Sequence, residues 1–184
     1  MATTAVFPTA LEGRRNVAID ARSVLTILAC AALTPGLFGL VNLGAETRGM
    51  MPLFFAPFGL PGWAGGAVHL IQLAMLGGAY GAILLVGTRN ARTWLAMLIA
   101  AYIALPFVTA PLDSLQLSLL CTALFLFGIA TIRRVGEQSA LAGWLMTPML
   151  AIVGFSATMG LVLTAAYTPP FALVQGNNPA PAAA

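Results

Sequence analysis

Lysine is absent from this chain of 184 residues, and other charge is scarce: eight arginines and five carboxylates bring the charged fraction to 7%. A soluble globule carries about a quarter of its residues as Asp, Glu, Lys and Arg, so that class is excluded. Histidine occurs once, as His69, and no Asp or Glu falls inside an apolar run. Without a second base or an intramembrane carboxylate the usual catalytic constellations cannot be assembled, and the chain does not read as an enzyme. Cysteine occurs twice. Cys30 and Cys121 sit inside separate apolar runs, which gives neither a disulfide framework nor a metal-ligand spacing and leaves them as packing residues. No apolar h-region precedes Arg22, and the pair Arg14-Arg15 is not continued as a twin-arginine export signal, so the tail is expected to remain attached. The arginines lie in flanks and turns rather than along one face, which argues against nucleic acid as a partner despite a net charge of +3.

What is present is apolar length. Hydrophobic residues make up 60% of the chain and the mean hydropathy is +0.95. The runs predict an all-α integral membrane bundle of five transmembrane helices, at about 24–45, 63–87, 93–112, 115–132 and 140–167. Residues 1–23 form an N-terminal tail, 24–168 the transmembrane domain, and 169–184, rich in Ala, Pro and Asn, a disordered C-terminal tail. Pro35 and Gly36 in the first span predict a kink. Residues 46–61, with Phe54, Phe55 and Phe58 among prolines, form a long first loop. It reads either as a lid or as an interfacial segment.

Five spans put the termini on opposite sides. With the N-terminus inside, Arg14, Arg15, Arg22, Arg89, Arg92, Arg133 and Arg134 are inside and Arg48 alone is outside, a strong positive-inside bias. The expected setting is a bacterial inner membrane, N-terminus cytoplasmic and C-terminus periplasmic. The first loop and the start of the second helix then face outward, and His69 lies about 10 Å below that face. Gly77 and Gly81 form GxxxG, Ala74 and Gly78 repeat the spacing, and Ser156 and Gly160 do so in the fifth span. These indicate close helix contacts and leave a homodimer open.

The second span is the informative one. LPGW leads into GAVHLIQLAMLGGA, where His69 and Gln72, three apart, share a face. A polar side chain in lipid is either a functional group or interhelical glue. This stretch resembles the translocator protein or tryptophan-rich sensory protein (TspO/MBR) family, whose second helix opens PPGWxFGPVWxxLYxxMGxA. Pro61, Gly62, Trp63, Gly66, Val68, Ile71, Ala74, Gly77 and Ala79 match. In the fifth span Ala142-Gly143, Pro148, Phe155 and Ser156 follow the order AGxLxxPYxxWxxFA. His69 and Ile152 stand where the family has tryptophans, Met149 where it has tyrosine and Gly160 where it has asparagine.

The resemblance implies a five-helix bundle that binds a hydrophobic planar ligand, a porphyrin or haem, with a sensory, regulatory or transport role. The implied contacts are Phe54, Phe55, Trp63, His69 and Gln72, with Phe107, Trp144, Pro148, Ile152 and Phe155 as cavity walls. Imidazole suits haem iron and the amide a propionate or carbonyl. The missing tryptophans argue against porphyrin degradation, and no basic residue follows Tyr167 to complete a sterol-recognition pattern. The implied partners are the lipid bilayer and a hydrophobic small molecule. Alternatives are a small exporter, disfavoured by the lack of an internal repeat or buried charge pair, and a structural or assembly subunit of a membrane complex.

Overall fold

A computed structural model describes residues 20–54 and 61–167. Residues 1–19 of the expected N-terminal tail, all of the expected C-terminal tail at 169–184, and Phe55 and Phe58 of the first loop lie outside the described residues. Five helices follow in order: α1 (Ala21–Glu46), α2 (Gly62–Val86), α3 (Arg89–Val108), α4 (Ser114–Gly136) and α5 (Ala140–Tyr167). Each is long and apolar enough to cross a membrane. The result is an all-α membrane bundle.

Side-chain caps set the ends and move several of them from where hydropathy alone places them. Asp20 Oδ1 accepts from Ser23 N at 2.7 Å and starts α1 three residues before its apolar run. Thr88 Oγ1 accepts from Ala91 N and starts α3 at Arg89 rather than Thr93. Asp113 and Gln116 form a reciprocal capping box, 2.8 and 3.3 Å, that opens α4. The third helix stops at Val108 instead of reaching Leu112, because the residue before Pro111 is pushed out of the helical region. The fourth runs on through Arg133 and Arg134 to Gly136, with Arg134 Nη1 donating to Ala130 O at 2.8 Å. Two of the last four carbonyls of α2, those of Ile83 and Leu84, accept from the Arg92 guanidinium. Pro35 stands inside an unbroken α1.

The turns between α2 and α3 and between α4 and α5 are two or three residues long, so these neighbours run antiparallel. They are also tied to each other: Thr88 N donates to Gln138 Oε1 at 2.6 Å and Gln138 Nε2 donates back to Thr88 Oγ1 at 3.0 Å. Helix α2 occupies the centre and touches α1, α3 and α5, while α4 packs on α5. Leu73, Leu76 and Ile83 of α2 are fully buried, with Leu95 and Leu98 of α3 and Met146 of α5. Outward stand Leu25, Leu28, Leu33 and Leu40 of α1. A stripe of that kind belongs against lipid tails, not water.

Lipid is as apolar as leucine, so close packing holds the helices together rather than expulsion of water. The GxxxG of α2 serves this within the chain. A Cβ on Gly77 would collide with Cys30 O and Thr34 Oγ1, and one on Gly81 would come within 2.7 Å of Ile27 Cα. The motif is therefore consumed by the α1–α2 contact and gives no support to a homodimer. Gly160 meets Ser118 in the same way between α5 and α4. Gly77→Ala and Gly81→Ala should each destabilise the bundle by about 1–3 kcal/mol, since the backbones must separate. Gly36→Ala, with nothing within 4 Å, should stay within about 0.5 kcal/mol. Equilibrium unfolding in mixed detergent micelles checks this, and equal stabilities for all three would refute the contact.

Candidate functional site

Gln72 is buried, and both polar atoms of its amide are bonded within the protein. Tyr102 Oη of α3 donates to Gln72 Oε1, and Gln72 Nε2 donates to Pro148 O of α5 at 3.3 Å. One side chain thus joins three helices. These bonds give the amide a structural role, and its second N–H and the second lone pair of its oxygen are what it has left for a ligand in the cavity it lines.

One turn earlier on the same face, His69 has the opposite status. It is 6% exposed, and its Nε2 is buried with no hydrogen-bond partner among the described residues. Aromatic rings surround it: Tyr102 stacks at 4.5 Å between centroids, Phe38 meets it edge-on at 5.2 Å and Phe54 lies tilted at 5.6 Å. Phe107 stands behind Phe38 at 5.8 Å. These contacts fix the ring plane and occupy its surroundings. What the imidazole has left to offer is a nitrogen.

His69, Gln72 and Tyr102 line a cavity of about 370 Å³ between α2, α3, α4 and α5. Its walls are mainly apolar, including Leu105, Ile152, Val153 and Leu163, and it is bounded on the fourth helix by Ser118 and Cys121. The hydroxyl of Ser118 is turned onto its own helix, donating to Ser114 O at 2.5 Å, and Thr109 does likewise to Pro106 O at 3.4 Å. No charged side chain among the described residues lines the space. The first loop enters here as well: Leu53 N donates to Pro106 O at 2.8 Å, which anchors the segment and sets Phe54 against Phe38 and His69. An apolar cavity of a few hundred cubic ångströms with a few convergent polar groups is the usual form of a small-molecule site.

Of the residues picked from the sequence, Phe54, His69, Gln72 and Ile152 come together in this cavity, and Pro148 touches it through Gln72. Phe107 is buried in the aromatic cluster behind it. Trp63 and Trp144 are corrected: they are 75% and 74% exposed and face outward, Trp63 at the first turn of α2 and Trp144 on the outer side of α5. Phe155, 42% exposed, does not line the cavity. Phe55 falls outside the described residues. Sequence reasoning missed Tyr102 and Phe38. Tyrosine in an apolar span carries a visible signal, a hydroxyl that needs a partner, whereas a phenylalanine in lipid carries none.

Tyr102→Phe should destabilise the bundle by roughly 0.5–2 kcal/mol by leaving Gln72 Oε1 buried and unpaired. Gln72→Leu should cost a similar amount. The double variant should lose clearly less than the sum of the two, because each single change strands the other partner. Strict additivity in micellar unfolding would show that the bond is not made.

Comparison with family models, with curated proteins and with solved structures finds no match for this chain.

Proposed function

We propose that this protein is an integral membrane binding protein that takes a hydrophobic planar ligand of the porphyrin class into the cavity beside His69, in a sensory, regulatory or transport role, as the TspO/MBR resemblance implies. One observation carries the reading: a buried imidazole nitrogen without a partner among the described residues, in the wall of a mainly apolar cavity. An unpaired buried polar atom costs about 1–3 kcal/mol, and a ligand that hydrogen-bonds or ligates it recovers that amount. The walls suit a flat apolar body, with Phe54 and Ile152 against its faces. Since no charged side chain lines the space, the carboxylates of a haem or porphyrin must stay at the mouth, where water still solvates them.

The test is titration of haem and of metal-free protoporphyrin into the detergent-solubilised chain. His69→Phe keeps the aromatic volume and removes the nitrogens, and should weaken binding about fivefold to a hundredfold. Ser156→Phe, which places a ring in the cavity wall, should block it. If the parent binds neither compound at micromolar concentration, or if both variants bind as the parent does, the chain is better read as a structural subunit whose polar residues serve as interhelical glue.

The orientation belongs to the same reading. Arg22, Arg89, Arg92, Arg133 and Arg134 lie at one end of the bundle, and Arg48 at the end where the cavity sits. With Arg14 and Arg15 the bias is seven to one, which supports a cytoplasmic N-terminus, a periplasmic C-terminus and a cavity toward the outer side of a bacterial inner membrane. Alkaline phosphatase fused after Ala184 should be active and a fluorescent reporter at the same point dark. The reverse pattern would turn the bundle over.

A further inference from the structure

The end of the bundle opposite the cavity carries a second concavity, of about 500 Å³, on the outer side of α2 and α3. Arg89, Arg92 and Thr93 line its upper part, and Tyr80, Ala96 and Ala100 continue it toward the middle of the membrane. On α3 these residues follow the i, i+3, i+4, i+7 and i+11 positions of one helical face, so the groove runs about 16 Å along the helix axis from guanidinium to methyl group.

The charges in it are not balanced. Arg134 at this end is committed elsewhere, with its guanidinium over the Trp94 ring at 3.9 Å and a bond to Ala130 O. Arg92 spends Nε and Nη2 on the carbonyls of Ile83 and Leu84, which holds the head in place and leaves its other donors uncommitted. Arg89 is exposed and its side chain makes no hydrogen bond or ion pair with any described residue. No carboxylate lines the groove. The positive end of the α3 dipole, at this first turn, adds to the same local field.

A fixed cationic head above an apolar track, at the depth where a helix leaves the hydrocarbon, matches an amphiphile with an anionic head and a long chain. We infer that this groove is a binding site for an anionic phospholipid, whose phosphate pairs with Arg89 and Arg92 while an acyl chain follows Ala96 and Ala100. A zwitterionic lipid brings its own cation next to the arginines and loses most of this advantage. Basic pockets at the ends of transmembrane helices recognise acidic headgroups on this principle. The site lies at the far end of α3 from the His69 cavity and does not depend on what that cavity binds.

The full chain in detergent, titrated with phosphatidylglycerol or with phosphatidylcholine and read by native mass spectrometry, tests it. The parent should retain phosphatidylglycerol preferentially. Arg89→Gln should lower that affinity about fivefold and leave phosphatidylcholine unchanged. Arg133→Gln removes the same charge at the same end but outside the groove, and should behave as the parent. Ala100→Trp, on an exposed face of α3, should fill the track and also lower retention. Inorganic phosphate at millimolar concentration should not displace the lipid. The inference is wrong if Arg89→Gln or Ala100→Trp retains phosphatidylglycerol as the parent does. It is also wrong if Arg133→Gln loses as much as Arg89→Gln, or if phosphate alone displaces the lipid.

Discussion

Gln72 is the point on which the arrangement of α2, α3 and α5 depends. In hydrocarbon there is no water to satisfy an amide, so its oxygen and nitrogen must both find partners inside the protein. They find Tyr102 on one side and the Pro148 carbonyl on the other. This sets the rotation of three helices at one level and, with it, which residues of α3 and α5 face the cavity. Tyr102 serves twice, since the ring whose hydroxyl meets Gln72 also stacks on His69. The orientation of the imidazole therefore follows from the same bond that holds the helices.

The other helix pairs are held by shape. Helix α1 makes few polar contacts with the rest, and its hydroxyl at Thr34 turns back onto Cys30 O at 3.0 Å. Its attachment rests on Gly77 and Gly81, where the missing side chains let backbone meet backbone and gather dispersion contacts over a long line. Between helices α4 and α5 the glycines instead receive side chains, Gly154 the Phe125 ring and Gly160 the Ser118 side chain. The second of these has a consequence for the cavity. Ser156 and Gly160 keep the α5 wall thin where Ser118 and Cys121 approach it, so the space closes around small groups instead of being filled by large ones.

The spans were legible in the sequence because apolar length is a local property that bilayer thickness makes decisive. Helix ends were less so: Thr88 and the Asp113–Gln116 box extend helices into polar residues that hydropathy assigns to loops. His69 and Gln72 stood out because a polar side chain is conspicuous in an apolar run. Their roles did not, since Tyr102 lies thirty positions from Gln72 and Pro148 seventy-six, and a single sequence carries no record of such pairings. Trp63 and Trp144 were placed in the cavity by resemblance to a family pattern, and the bundle turns both outward. An aromatic residue in a membrane protein has two good environments, the core and the lipid or headgroup surface, and helix rotation chooses between them. That rotation is set here by Gln72.

The two ends of the bundle divide the chemistry. At the cavity end the lining is uncharged, and the unusual feature is an imidazole with an unmet hydrogen bond. At the other end the arginines cluster: Arg134 lies over the Trp94 ring, Arg92 donates to carbonyls near the end of α2, and Arg89 makes no side-chain hydrogen bond or ion pair with any described residue. Charge can be kept there because headgroups and water are within reach, whereas in the cavity a charge would have to be desolvated at a cost of several kcal/mol. Helix α3 connects the two, with Arg89 and Arg92 in its first turn and Tyr102, Leu105 and Thr109 toward its end. Because Tyr102 is bonded to Gln72 and Arg92 to the end of α2, α3 is fixed against α2 at both levels and cannot slide or rotate without breaking one of these bonds. Pro148 O ties α5 to α2 at the same level and Leu53 ties the first loop to α3, so α4, packed on α5, is the cavity wall with no side-chain hydrogen bond to another helix among the described residues.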